Sequence, residues 1–307
     1  ALPIWDTFPQ CDFFLRMDSG TDAQLSRRVE RFLNLILGTK IITPTLSESA
    51  MYAAATAAAN SACLSRQVGA AVTSSDGEVI STGWNDVPRM GGGLYLASAL
   101  DPLGEHDKRC WNRDGGKCFN DEEKGLFADQ LMETLESFIS PEKLSDARKA
   151  VSKFGKLRGL IEFSRSIHGE MHAILNAGNI SGSKIAGGKL FVTTYPCHSC
   201  ARHIVAAGIT EVYYIEPYRK SLAIKLHGDA ISERETDVEK VRLLPFDGVA
   251  PGDSAAAHDS RRGDATPDRR RDRHGCWCPA NSCQEGALFR GPPSCRADSA
   301  AARAERS

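Results

Sequence analysis

Between residues 67 and 244, short apolar runs of strand length alternate with segments of helical period, which leaves few ways for the chain to fold. Gln67 to Thr73 and Glu78 to Gly83 read as two strands joined by the turn Ser75-Asp76-Gly77. Leu190 to Thr194, Glu211 to Glu216 and Val241 to Leu244 read as three more strands. A helix starts near His168, another runs from Cys197 to Ala207, and Ser221 to Leu226 is helical. Strands alternating with helices imply layered α/β architecture. Upstream, Asp22 to Leu37 puts Leu25, Val29, Phe32, Leu33 and Ile36 on one helical face, with Gly38 as its stop. Thr45 and Glu48 form a capping box at the start of a helix whose stretch Ala50 to Ala59 is rich in alanine. Small side chains there let the helix lie close to a sheet.

The composition changes abruptly after Pro251. Residues 252–307 contain no Ile, Val, Met, Tyr or Lys, and Arg, Asp, Ala, Gly and Pro dominate. Such a segment buries too little apolar surface to offset its ordering entropy, so it reads as a disordered tail, or as an out-of-frame read of GC-rich DNA. The chain thus divides into an N-terminal segment (1–40), a main domain (41–251) with an insertion at about 88–165, and the tail (252–307).

Ten cysteines and a formal net charge of −1 narrow the setting. Only Cys197 and Cys200 form a close C-x-x-C pair in the main domain; Cys11, Cys63, Cys110 and Cys118 are scattered. No signal peptide opens the chain and no apolar run reaches the ~20 residues of a membrane span. The expectation is a soluble, reducing, cytoplasmic protein with no membrane partner. A charge near zero provides no global field for nucleic acid, so stable nucleic-acid binding is not expected. Local cations suffice for a small phosphorylated substrate.

Two segments carry the chemistry: His168-Gly169-Glu170 and Pro196-Cys197-His198-Ser199-Cys200. A catalytic zinc takes three protein ligands and keeps an open position. One imidazole and two thiolates, from His168, Cys197 and Cys200, supply three. A C-x-x-C opening a helix aims both sulfurs at one ion, and the helix dipole favours thiolate there. Glu170, two residues after the histidine, can sit beside a metal-activated water without binding the metal and move its proton. H-x-E followed by P-C-x-x-C is the known signature of the zinc nucleobase deaminases. A redox pair or half of a structural zinc site are the rival readings of the cysteines. No second C-x-x-C stands at zinc-ribbon spacing, and a structural site has no use for a poised carboxylate. His172 and His198 read as neighbours of the site or surface residues and not as ligands.

With Ser65-Arg66-Gln67-Val68-Gly69-Ala70, Gly83-Trp84-Asn85-Asp86-Val87-Pro88 and the run from Pro196 to Gly208 added, residues 46–251 resemble the deoxycytidylate deaminase family. More narrowly, Thr43-Pro44-Thr45, Ala50-Met51-Tyr52, Gly91-Gly92-Gly93-Leu94-Tyr95 and the segment from Lys220 to His227 resemble bacterial anti-phage deoxycytidine-nucleotide deaminases. The resemblance implies a cytidine-deaminase-like three-layer α/β/α fold with a mixed sheet of about five strands. It implies Zn2+ as cofactor, dCMP or dCTP as substrate, a homo-oligomer, and a role in depleting nucleotides during phage infection. Asn85 matches a family asparagine that contacts the sugar, and Arg66 a position near the phosphate. Anti-phage members carry an upstream P-loop domain; the sequence holds no G-x-x-x-x-G-K-[ST], and Phe8 to Leu15 reads as the remnant of such a domain's end.

The insertion reads as a substrate lid or oligomer contact containing free thiols. A structural zinc on His106, Cys110 and Cys118, with an unassigned fourth ligand, is the alternative. His274, Cys276, Cys278 and Cys283 in the tail look finger-like but have no core around them. Two other functions compete: a deaminase acting on single-stranded nucleic acid, which would want a basic groove with stacking aromatics, and a non-catalytic zinc-stabilised module. Aromatics are 7% of the chain, and the main domain shows no basic stripe.

Overall fold

The computed structural model describes residues 11–17, 21–98, 101, 104–218 and 220–251. The expectations for the tail, including its finger-like Cys276, Cys278, Cys283 and His274, lie outside the described residues.

The elements follow the alternation read from the sequence. They are β1 (Phe13–Phe14), α1 (Asp22–Leu37), α2 (Leu46–Ala58), β2 (Gly69–Thr73), β3 (Val79–Trp84), α3 (Phe119–Leu135), α4 (Leu144–Ser152) and the single turn α5 (Gly155–Arg158). After them come α6 (Gly169–Ser181), β4 (Lys189–Thr194), α7 (His198–Ala206), β5 (Glu211–Glu216), α8 (Ala223–His227), β6 (Ile231–Ser232), β7 (Val241–Pro245) and β8 (Gly248–Val249). Six strands form one sheet in the order β3-β2-β4-β5-β7-β6. β2 runs antiparallel to β3 and β4, while β4, β5, β7 and β6 run parallel. The sheet is therefore mixed, and the strand beyond the expected five is the two-residue edge β6.

Period-2 alternation divides the core between two faces. Ala70, Val72, Leu190 and Val192 pack with Ala173, Ala177, Ala201 and Ile204 of α6 and α7. Ala71 and Phe191 point the other way, into a cluster with Ala50, Met51 and Ala54 of α2. Three layers result, helix on sheet on helix. The alanines of α2 serve the close approach expected of them: a Cβ at Gly69 would fall 1.9 Å from the Ala54 carbonyl oxygen. Thr45 caps α2 as its sequence predicts. Its Oγ1 accepts from Glu48 N at 3.1 Å, and Glu48 Oε2 accepts from Thr45 N at 2.7 Å.

The apolar stripe of α1 behaves differently from its periodicity. Phe32 meets Phe13, with ring centroids 5.0 Å apart, but Leu33 is half exposed and Ile36 is 61% exposed. A helical period shows that a face is apolar and says nothing of how much of it a neighbour covers. Glu48 does more than cap. Arg31 Nη2 donates to it at 2.6 Å and Val249 N at 2.8 Å, joining α1, α2 and β8 at one buried carboxylate. No helix among the described residues is long and apolar enough to cross a membrane.

Candidate active site

Two helix starts meet just beyond the C-terminal end of β4. His168 occupies the N-cap of α6 with extended backbone (φ −78°, ψ 153°). Cys197 occupies the N-cap of α7 (φ −73°, ψ 167°), and its Sγ accepts from Cys200 N at 3.5 Å. A sulfur in that position faces free backbone N–H groups and the positive end of the helix dipole, both of which favour thiolate. His168 Nδ1 lies 3.3 Å from Cys197 Sγ and 3.3 Å from Cys200 Sγ. Tetrahedral zinc with ordinary Zn–N and Zn–S bonds separates its nitrogen and sulfur ligands by about 3.5 Å. Among the described residues this is the one group of three or more His, Cys, Asp or Glu side chains whose ligand atoms lie within 4.8 Å of one another. One nitrogen and two sulfurs suit zinc and leave a fourth position open.

α6 can bring His168 there because β3 lets it. Gly83 faces the helix, and a Cβ on it would sit 2.2 Å from Ala173 N and 2.7 Å from the Gly169 carbonyl oxygen. Ala173 and Ala177 keep the helix side equally small and are fully buried. Ser81 Oγ then donates to the Ala173 carbonyl at 2.7 Å, tying strand to helix.

Glu170, in the first turn of α6, is 4% exposed. Burial raises its pKa, against the opposing charge of His168. Its carboxyl is not one of the converging ligand atoms. The ligands hold one another's protons. A hydrogen bond with Cys200 leads the causes that lower Cys197 to about 4, while burial pushes Cys200 up. Burial would lower His168, but the Cys197 sulfur and the Glu170 carboxylate outweigh it and raise the imidazole to about 9.

His168, Glu170 and Cys197 border a cavity of about 410 Å³. Asn85 and Arg66 line it too. Asn85, however, is largely occupied by its own chain. Its Oδ1 accepts from Val68 N at 2.7 Å and Ser61 Oγ at 3.1 Å, and its Nδ2 donates to the Arg66 carbonyl at 2.6 Å. Asn85 thereby fixes the loop that carries Arg66. The Arg66 side chain is 50% exposed and pairs with Glu216 at 3.1 Å.

The insertion supplies much of the remaining wall, through Cys110, Cys118, Phe119, Lys124, Arg158 and Arg165. Sequence reading treated it as a substrate lid or oligomer contact and named no residue of it as a cavity wall. The signal available was the run of cations toward its end. A buried ion pair holds it to the core: Arg109 bonds Asp107 at 2.6 Å and lies 3.7 Å from Asp86, just after β3. The alternative of a second zinc is not assembled. His106 is 85% exposed beside Asp101, Cys110 is buried, and Cys118 stands at the N-cap position of α3 without a side-chain capping bond, with no convergence among them.

The other two histidines do not join the ligand group. His172 is buried, its Nδ1 accepts from Trp84 N at 3.2 Å, and its Nε2 lies 3.1 Å from Asn176 Nδ2. His198 Nε2 lies 3.7 Å from Glu162 Oε1, outside the cluster.

Comparison with known proteins accords with this geometry. The family described as "Cytidine and deoxycytidylate deaminase zinc-binding region" matches residues 44–216. The deoxycytidylate deaminase of Enterobacteria phage T4 is 31% identical over 161 residues, 52% of this chain and 72% of the relative. ComE operon protein 2 of Bacillus subtilis (strain 168) is 45% identical over 56 residues, 18% of this chain, and the match spans only 29% of that relative's length. A crystal structure of dCMP deaminase from cyanophage S-TIM5 with dCMP and dUMP superposes at a TM-score of 0.38 with 20% identity, covering 67% of this chain and all of the other. The cofactor is Zn2+, on the description of that family region and the His/Cys/Cys donor set together. Through the match that extends over residues 44–216 and the phage relative aligned across most of its length, the chain belongs to the deoxycytidylate deaminase family.

Proposed function

We propose that this chain hydrolyses the exocyclic amine of a deoxycytidine nucleotide, giving the deoxyuridine nucleotide and ammonia. The observation that carries the reading is a buried carboxyl, Glu170, beside three converging ligand atoms at a cavity large enough for a small molecule. His168, Cys197 and Cys200 are the residues that would hold zinc, which when bound supplies Lewis-acid activation of a water. Glu170 takes up one proton of the attacking water and delivers it to the ring nitrogen, then takes the second from the hydroxyl left on C4 and delivers it to the departing amine. Water adds at C4, the C4–N4 bond breaks and a carbonyl replaces it, so atoms balance with no further reactant. The raised pKa of Glu170 suits a group that alternates between acid and base. Asn85 positions the loop beside the sugar, and Arg66 faces the phosphate side. In an infected bacterium the reaction would drain the deoxycytidine nucleotides that a phage needs.

The test is a panel of dCMP, dCTP, deoxycytidine and a cytosine-containing oligonucleotide, followed by ammonia release, with zinc measured in the same sample. Release from a free nucleotide is expected. Release from the oligonucleotide alone would replace this reading with that of a nucleic-acid deaminase.

A further inference from the structure

The charges around the cavity are unevenly placed. Its lining holds five cationic side chains, Arg66, Lys124, Arg158, Arg165 and Lys220, against one carboxylate, Glu170. Glu170 is buried, whereas Arg66, Arg158 and Lys220 are exposed. A ligand neutral at one end and polyanionic at the other would lie with its neutral end inward. The cations are not equivalent. Arg66 is matched by Glu216 at 3.1 Å and Lys124 by Asp121 at 2.6 Å. Arg165 stacks over Phe119, 5.1 Å from the ring centroid, and reaches the Lys108 carbonyl at 3.4 Å. Arg158, at the end of α5 in the insertion, and Lys220, in the loop after β5, have no side-chain ion pair or hydrogen bond among the described residues.

From this asymmetry, and resting on the deaminase reading above, we propose that Arg158 and Lys220 bind the distal phosphates of the substrate and make a nucleoside triphosphate the preferred ligand over the monophosphate. One cation already balanced by a carboxylate serves the first phosphate. Two uncompensated cations from separate parts of the chain add the positive charge that a triphosphate, and not a monophosphate, can use. The insertion then selects substrate by charge as well as walling the cavity.

The experiment measures Kd for dCTP, dCMP and deoxycytidine by calorimetry on the full zinc-loaded chain carrying Glu170→Gln, which blocks turnover during titration. It is repeated with Arg158→Ala, Lys220→Ala and Arg158→Lys added. Both side chains are exposed, and Tm confirms that each variant is folded. The dCTP affinity is expected to exceed the dCMP affinity at least about tenfold, since an added charge-assisted contact is worth about that factor. Each alanine variant should weaken dCTP about tenfold and dCMP less than about threefold, Arg158→Lys should restore part of the loss, and salt should erode the preference. Equal affinity for dCTP and dCMP, or equal weakening of both by the alanine variants, overturns the proposal. Ammonia release by the unmutated chain is followed in parallel. Its absence on every nucleotide would sink the deaminase reading, whereas the binding preference is judged on the Kd values alone.

Discussion

His168 Nδ1 and Cys200 Sγ lie 3.3 Å apart, although 32 positions separate them in the chain and they belong to different helices. That meeting of an imidazole and a thiol, with Cys197 as the third member, underlies the first two predictions.

Removing one sulfur should remove the ion. Cys197→Ala is expected to lose both zinc, by metal analysis, and deaminase activity. The variant keeps two ligands, too few for a stable zinc site. Full zinc occupancy in that variant would refute the ligand set. Zinc affinity should also rise with pH. His168, raised to about 9, and Cys200, raised by burial, must shed protons before they coordinate. Each proton displaced makes affinity change about tenfold per pH unit below the pKa concerned. Competition against a chromogenic chelator at pH 6, 7 and 8 reads this directly, and a flat profile counts against it.

Glu170→Ala should leave zinc in place and cost about 10²- to 10⁴-fold in kcat, the usual range for loss of a general acid–base group. Its carboxyl borders the ligands without being one of them. Near-normal turnover by the zinc-loaded variant would end the assigned role, and loss of zinc would make Glu170 part of the metal's support instead.

Gly83→Ala should push α6 off the sheet. The added methyl has backbone atoms of Ala173 and Gly169 in its way, which cannot swing aside as a side-chain tip can. A loss of about 1–3 kcal/mol is expected from overpacking, with reduced zinc content because His168 begins the same helix. A Tm and zinc content matching the unmutated chain would show that the helix has room to move.

Glu48→Gln should destabilise the fold by about 2 kcal/mol at neutral pH, with partners left in place around a weaker acceptor. Burial raises this carboxyl's pKa, but Arg31 and the N–H groups of Thr45 and Val249 outweigh it, so the net direction is down. A depressed carboxylate contributes stability above its unfolded pKa of about 4.3, and that contribution is lost as pH falls through the lower, folded value. The gap between the two proteins in denaturant unfolding should therefore close below about pH 4. A gap independent of pH would assign the effect to packing.

Cys110→Ser should leave zinc stoichiometry unchanged, because Cys110, Cys118 and His106 do not converge. A drop in bound zinc with intact folding would revive a second metal site in the insertion.

Reading the sequence located the chemistry more fully than the cavity around it. Thr45 with Glu48, the strand pair around Gly77, and Cys197 opening a helix all depend on residues a few positions apart, and all stand in the structure. The exposed stripe of α1 and the cavity wall built from Arg158 and Lys124 depend on which surfaces meet, which local spacing does not encode. Asn85 shows the same limit within one residue: its neighbours in sequence point to the cavity, and its bonds to Val68, Ser61 and Arg66 show that it also braces a loop.

By itself the sequence determined the layered α/β class, the three ligand types and the carboxylate two residues beyond the histidine. Periodicity, capping and motif spacing are short-range properties written in order along the chain. Only the tertiary structure decided that His168 meets the two sulfurs, that Gly83 lets α6 come close enough for it, and that the insertion closes a cationic cavity around Glu170. Those are distances between residues tens of positions apart, and close packing of helix on sheet sets them.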